Sequence, residues 1–143
     1  MSPAELDAFL GTAHTCRVAT ASPDGPHNTP LWFAWDGTTL WLYSIFKSQR
    51  FTDLQRDPRV AVVIDAGEEY VELRGVEITG RATVVGPVPR LGHEDDARLV
   101  VPEGLFASKY TAGVFLHDGR HAWLQVIPEK IASWDFRKAF PDP

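Results

Sequence analysis

The chain has a single cysteine, Cys16, among its 143 residues. One thiol excludes an internal disulfide and a thiolate metal cluster, and its expected role is that of a small buried hydrophobe. The five histidines, His14, His27, His93, His117 and His121, do not recur at metal-ligand spacing. There is no surplus of positive charge. The net charge is −5 and the pI about 5.4, which argues against nucleic acid or an anionic membrane as the main partner. One local basic pocket for a small anion stays compatible with that balance. No apolar run approaches the length of a membrane span, and the polar N-terminus with Glu5 and Asp7 does not read as a signal peptide. A soluble, cytosolic (cytoplasmic) protein is therefore expected. Gly-x-Ser-x-Gly elbows and Gly-rich phosphate loops are absent as well. The acid pairs Glu68-Glu69 and Asp95-Asp96 read as solvated, and Cys16 has no neighbouring base to make it a nucleophile. A site without its own acid, base or metal would depend on a cofactor for its chemistry.

Aromatics are plentiful: five Trp and eight Phe, suited to a β-rich core or a site for a flat ligand. Residues 1–143 read as one domain. Ser2-Pro3-Ala4-Glu5 predicts a helix with Ser2 as cap and Glu5 completing a capping box, ended by Gly11. Strands are predicted over 14–21, 27–35 and 39–45, the last two joined by Asp36-Gly37. The run Val60 to Ile64 predicts a strand buried on both faces. A long strand over 70–85 changes side-chain parity at Gly75, where a bulge is predicted. Helical character over 94–101 is interrupted by Pro102. A hairpin is predicted around Asp118-Gly119 (114–117 with 121–127), then a short strand over 131–136. About seven short strands with a few helices predict a mainly β fold, a closed antiparallel barrel.

The most informative stretch is Tyr43-Ser44 through Leu54. It reads as strand end, loop and helix, with Ser48 as the helix cap. Phe51 and Leu54 face a core, and Pro58 lies just beyond the helix. Lys47 and Arg50 flank the helix start, where the dipole and unpaired N–H groups already favour an anion. Cations at that end repel the dipole unless a bound anion offsets both; the alternative is a pair of solvated surface cations.

Several segments occur together in an order that resembles a known family. They are Arg17-Val18-Ala19-Thr20, Gly25 through Phe33, Tyr43-Ser44 through Leu54, and Asp57-Pro58-Arg59-Val60. Leu73 through Ala82 and Ser133-Trp134-Asp135-Phe136 complete the set. Over residues 5–137 the chain resembles the FMN-binding split-barrel proteins related to pyridoxamine 5′-phosphate oxidase, in particular a short branch with oxidoreductases using the deazaflavin coenzyme F-420. The resemblance implies a six-stranded antiparallel split β-barrel that forms a homodimer with two cofactor sites at the interface. It places the cofactor phosphate on Arg50, with Lys47, Ser48 and Gln49 beside it. Thr29, Pro30, Leu31 and Trp32 would lie along the flat ring system, with a core position as the alternative for Trp32. Tyr43 and Ser44 would sit below the phosphate-bearing chain. Pyridoxamine phosphate oxidases place further cations on the second strand, where this chain has Thr29 and Ala34. Their C-terminal Arg-containing substrate motif is also missing. The expectation is an oxidoreductase acting on a small-molecule substrate, with F-420 as cofactor and FMN as the alternative. No side chain is nominated as catalytic and no metal is expected. The rival expectation is a non-catalytic flavin- or haem-binding module of the same fold.

Overall fold

The computed structural model describes residues 1–140. Six antiparallel strands close a barrel in the order β1-β2-β3-β6-β5-β4. They are β1 (Thr15–Ser22), β2 (Gly25–Trp35), β3 (Leu40–Ile45), β4 (Arg59–Ala66), β5 (Arg74–Val85) and β6 (His121–Asp135). Three helices join them: α1 (Pro3–Thr12), α2 (Gln49–Arg56) and α3 (Val100–Tyr110). The expected mainly β barrel is thus the observed one. No helix among the described residues is long and apolar enough to cross a membrane.

Local chemistry explains most of the elements. Ser2 accepts from the Glu5 N–H while Glu5 reaches back to Ser2, the predicted capping box. Gly11 does not stop α1, which runs on to Thr12; Lys109 from α3 instead donates to the Leu10 and Ala13 carbonyls at 3.0 and 2.9 Å, satisfying groups that a helix end leaves open. At the β2–β3 turn, Asp36 accepts from the Thr38 and Thr39 N–H groups and from Trp41 Nε1.

The barrel interior follows strand alternation. Cys16 and Val18 of β1, Phe33 of β2, Leu40 and Leu42 of β3, Val60, Val62 and Ile64 of β4, and Val76 and Ile78 of β5 form its core. On β4 only one face is buried; Ala61 and Val63 stay half-open. The continuous apolar run does not mark a strand buried on both sides. Burial on both faces occurs on β3, where every residue from Leu40 to Ser44 is buried. Its outer face, with Trp41 and Tyr43, joins Ala34, Trp123, Leu99 and Phe106 in a second apolar cluster involving α3.

Four predicted details differ. Residues 70–72 form a 3-10 turn and β5 begins only at Arg74, so the parity change at Gly75 marks a strand start. The bulge lies instead opposite Thr79 and Gly80, where β6 carries Glu129 as an extra residue. There a Cβ on Gly80 would fall 2.0 Å from the Ile127 carbonyl oxygen. Pro102 sits in the first turn of α3, where its missing N–H costs no helical bond. Finally, 114–117 forms no strand, and the pieces expected over 121–127 and 131–136 are one strand, β6, which pairs with β3 and with β5.

Candidate functional site

Alternation on β2 turns His27, Thr29, Leu31 and Phe33 to one side, and α2 lies across the end of that row. Ser48 caps α2, its Oγ accepting from the Phe51 N–H at 3.2 Å. Phe51 and Leu54 are buried against the barrel core, which sets the rotation of α2. Arg50 is thereby turned toward β2 and β3. Its Nη1 donates to Thr29 Oγ1 at 2.6 Å and its Nε to Ser44 Oγ at 3.2 Å. Ser44 is fully buried and also lies 3.4 Å from Ser48 Oγ.

Arg50 thus rests on two neutral hydroxyls, with no carboxylate partner among the described residues. Seven of the nine other arginines, Arg17, Arg56, Arg59, Arg81, Arg90, Arg98 and Arg137, pair with an Asp or Glu; Arg74 and Arg120 share with Arg50 the lack of one among the described residues. Burial lowers the Arg50 pKa from its ordinary value, although a guanidinium stays charged at any ordinary pH. Lys47 is exposed, with its ammonium 5.6 Å from the centre of its neighbour Phe46. The Gln49 and Arg50 N–H groups, in the first turn of α2, have no protein acceptor among the described residues. A partly desolvated cation, two open N–H groups and two serine hydroxyls are groups of the kinds that bind phosphate-type oxyanions.

The other residues singled out from the sequence divide around this centre. Gln49 points away from the Arg50 guanidinium; its amide donates to Asp53 Oδ1 at 2.8 Å. Leu31 packs on the barrel core, while Thr29 and Pro30 are exposed. Trp32 is 47% exposed, so it is not a core aromatic. Tyr43 and Ser44 point to opposite faces of β3. Tyr43 is buried on the outer side, stacked on His121 at 4.7 Å, and its hydroxyl has no hydrogen-bond partner. The structure therefore gathers Thr29, Ser44, Ser48 and Arg50 at one place, with Lys47 exposed just before the cap, and leaves Tyr43 and Trp32 on the opposite faces of their strands, Trp32 stacked on Tyr110 of α3.

One feature beside the site has no signature in the sequence. Asp53, fully buried, accepts from Thr20 Oγ1 of β1, His27 Nδ1 of β2, and Gln49 and Arg56 of α2, at 2.7 to 3.2 Å. Burial by itself raises its carboxyl pKa; the bonds from His27, Gln49 and Thr20 outweigh it and hold the pKa at about 2. His27 and Asp53 are 26 positions apart, so only a known β2–α2 packing could have paired them. Among the described residues no group of His, Cys, Asp or Glu could hold a metal ion. Burial pushes the Cys16 thiol up to about 12, which leaves it inert.

Comparisons with known proteins extend this picture. The family described as pyridoxamine 5′-phosphate oxidase matches residues 2–135. A solved structure of a conserved hypothetical protein from Mycobacterium tuberculosis is 30% identical, covers 100% of this chain and 90% of its own, and superposes with a TM-score of 0.82. An FAD-binding protein from Mesorhizobium loti shares the fold at 18% identity, with 93% of this chain and 92% of its own covered and a TM-score of 0.71. A protein named F-420 reductase shares it at 22% identity, with 88% and 94% covered and a TM-score of 0.65. No curated protein matches the sequence.

Proposed function

Because this chain belongs to the pyridoxamine 5′-phosphate oxidase family, we propose that it is a flavin- or deazaflavin-dependent oxidoreductase whose cofactor phosphate binds at Arg50. The observation that carries this reading is the Arg50 guanidinium, held by the Thr29 and Ser44 hydroxyls without any carboxylate. An arginine pre-set by neutral acceptors keeps its charge available for an incoming anion and loses little side-chain freedom when it binds. Gln49 and Arg50 N–H groups would complete the oxyanion contacts, and Lys47 would add a point charge at the rim. Trp32, 47% exposed on the opposite face of β2 from Thr29, would lie along the ring system.

The bound cofactor would supply the hydride chemistry. This chain's own residues would bind the phosphate, orient the ring and exclude water from it. Coenzyme F-420 is the favoured cofactor and FMN the alternative. One guanidinium and one exposed lysine suit a singly charged phosphodiester better than a phosphate monoester, and β2 has Thr29 and Ala34 where more cations would be needed. The substrate would be a small organic molecule. The site is open in the single chain, which suits a homodimer whose second copy closes it.

The test is a titration of F-420 and, separately, FMN against wild type, Arg50→Ala and Lys47→Ala. Loss of a charge-assisted bond should weaken binding about ten- to a hundredfold in Arg50→Ala and by less in Lys47→Ala. Unchanged binding of both cofactors in Arg50→Ala would place the site elsewhere. Turnover of the bound reduced cofactor with an added acceptor separates an enzyme from a storage module.

A further inference from the structure

The layer over the outer side of β3 and β6 is built inside out. It consists of α3, the segment 88–92 before it and the segment 113–117 after it. Their charged groups turn inward. Arg90, 5% exposed, pairs with Glu103 of α3 through two bonds at 3.0 and 3.2 Å, and Trp123 Nε1 donates to the same carboxylate at 3.0 Å. His117 Nε2 lies 3.8 Å from it. Lys109 is engaged by the Leu10 and Ala13 carbonyls. Apolar groups are left outside. The exposed residues of α3 are Val100, Val101, Gly104, Leu105 and Ser108; at 100° per residue they share one face, and that face carries no charge. Val114 and Leu116 continue it beyond the helix. Leu91 joins them, because 91–92 packs against His117 and Gly119. A water-facing helix normally shows the reverse arrangement.

We propose that this face docks a second copy of the chain, α3 against α3 about a twofold axis at Gly104, and that the second copy thereby stands beside Trp32. The six apolar residues are 38 to 68% exposed and together present on the order of 600 Å², at the upper end of what a monomer leaves open. A specific interface takes about 800 Å² from each copy, which the rim of the same layer supplies. Gly104 and Ser108, one turn apart, let two helices approach closely, and a face of one kind of surface is self-complementary across a twofold axis. An anionic membrane would call for cations at the rim; the adjoining loop brings exposed Glu94 and Asp95 instead. Trp32 borders the layer, its ring centre 6.1 Å from that of Phe106 and 4.2 Å from that of Tyr110. Only the role of Trp32 rests on the cofactor reading; the docking stands apart from it.

Sedimentation of wild type, Val101→Glu, Leu105→Glu and Val71→Glu tests the face. Wild type should be a dimer at micromolar concentration. Either α3 variant sets like charges against each other across the axis and should raise the dimer dissociation constant at least about tenfold. Val71, exposed at the opposite end of β5, should be without effect. A monomeric wild type, with or without binding to phosphatidylcholine vesicles, overturns the proposal, as does full dimerisation of both α3 variants. Cross-linking tests the axis independently. Cys16 is fully buried, and a Cβ at Gly104 meets nothing within 4 Å. Gly104→Cys should oxidise to a covalent dimer, since a residue on the axis meets its own copy, while Asp24→Cys in the β1–β2 turn should not. Equal cross-linking of the two, or none in Gly104→Cys, removes the axis. Acrylamide quenching of tryptophan fluorescence should be stronger in Leu105→Glu than in wild type, and this difference should vanish when both carry Trp32→Phe. Equal quenching of Leu105→Glu and wild type overturns the placement beside Trp32, whether or not any cofactor binds.

Discussion

Trp32 lies flat on Tyr110, ring centres 4.2 Å apart and planes 2° from parallel, and still leaves 47% of its surface open. Tyr110 is itself pinned, its hydroxyl donating to the His14 carbonyl at 2.5 Å and accepting from the Phe33 N–H at 3.1 Å. One face of the indole is therefore backed by a fixed ring, and about half of the side chain stays exposed. Trp32→Ala should weaken cofactor binding about three- to tenfold, the size of an aromatic stacking contribution of roughly 0.5–1.5 kcal/mol, and should lower the melting temperature by a few degrees through loss of the Tyr110 stack. Fluorescence titration of the variant against wild type measures it, and equal affinities would place the ring system off Trp32.

Gly75 is buried between its neighbours on β4 and β6. A Cβ there would fall 2.5 Å from Trp134 Cζ2 and 2.9 Å from the Ile64 carbonyl oxygen. Gly75→Val should cost roughly 1–3 kcal/mol through overpacking, lowering the melting temperature by several degrees. Gly75→Val with Trp134→Ala should recover part of that loss, because the indole is the movable obstacle. A single variant that melts like wild type would contradict the close contact.

The Asp53 cluster predicts a specific acid response. Its folded pKa of about 2 lies below the unfolded carboxylate value of about 3.9. As pH falls between these values the unfolded chain takes up a proton that the folded chain does not, so stability is lost over that window. Above about pH 4 the contribution is fully present. Other carboxyls, among them Asp57 and Asp135, are also held at about 2 by their arginine partners, so acid sensitivity as a whole will persist. Asp53→Asn should flatten the slope of stability against pH between about 4 and 2 by up to one proton's worth. Denaturant melts at several pH values measure it; an unchanged slope would mean that Asp53 titrates normally.

Apolar side chains remain on the outside of the single chain, including Trp32, Ile127 and Ile131 at 47, 44 and 39% exposure. Pairing of two copies would cover part of this surface. Sedimentation at micromolar concentration should show a dimer, and a stable monomer would remove the second copy from the proposed site.

Features governed by near neighbours in the chain are legible in the sequence alone. Ser2 with Glu5 and Ser48 with Phe51 are contacts across three residues, determined by side-chain reach and helix geometry. The alternation of β1 and the core-facing pair Phe51 and Leu54 follow from strand and helix periodicity, and the ordered segments point to the barrel. The local signals mislead wherever the partner strand decides. The stretches 121–127 and 131–136 read as separate strands, yet β6 runs through because Glu129 bulges opposite Gly80. The run Val60 to Ile64 looks buried on both sides because residue type records hydrophobicity, not which face receives a neighbour. The site divides in the same way. Arg50 at a capped helix start can be picked out from the chain alone. That Thr29 and Ser44 hold it, that Tyr43 turns to the opposite face from Ser44, and that Asp53 gathers His27, Thr20, Gln49 and Arg56 depend on the packing of α2 against the barrel. Such contacts join residues distant in sequence, and only closure of the sheet brings them within hydrogen-bond distance.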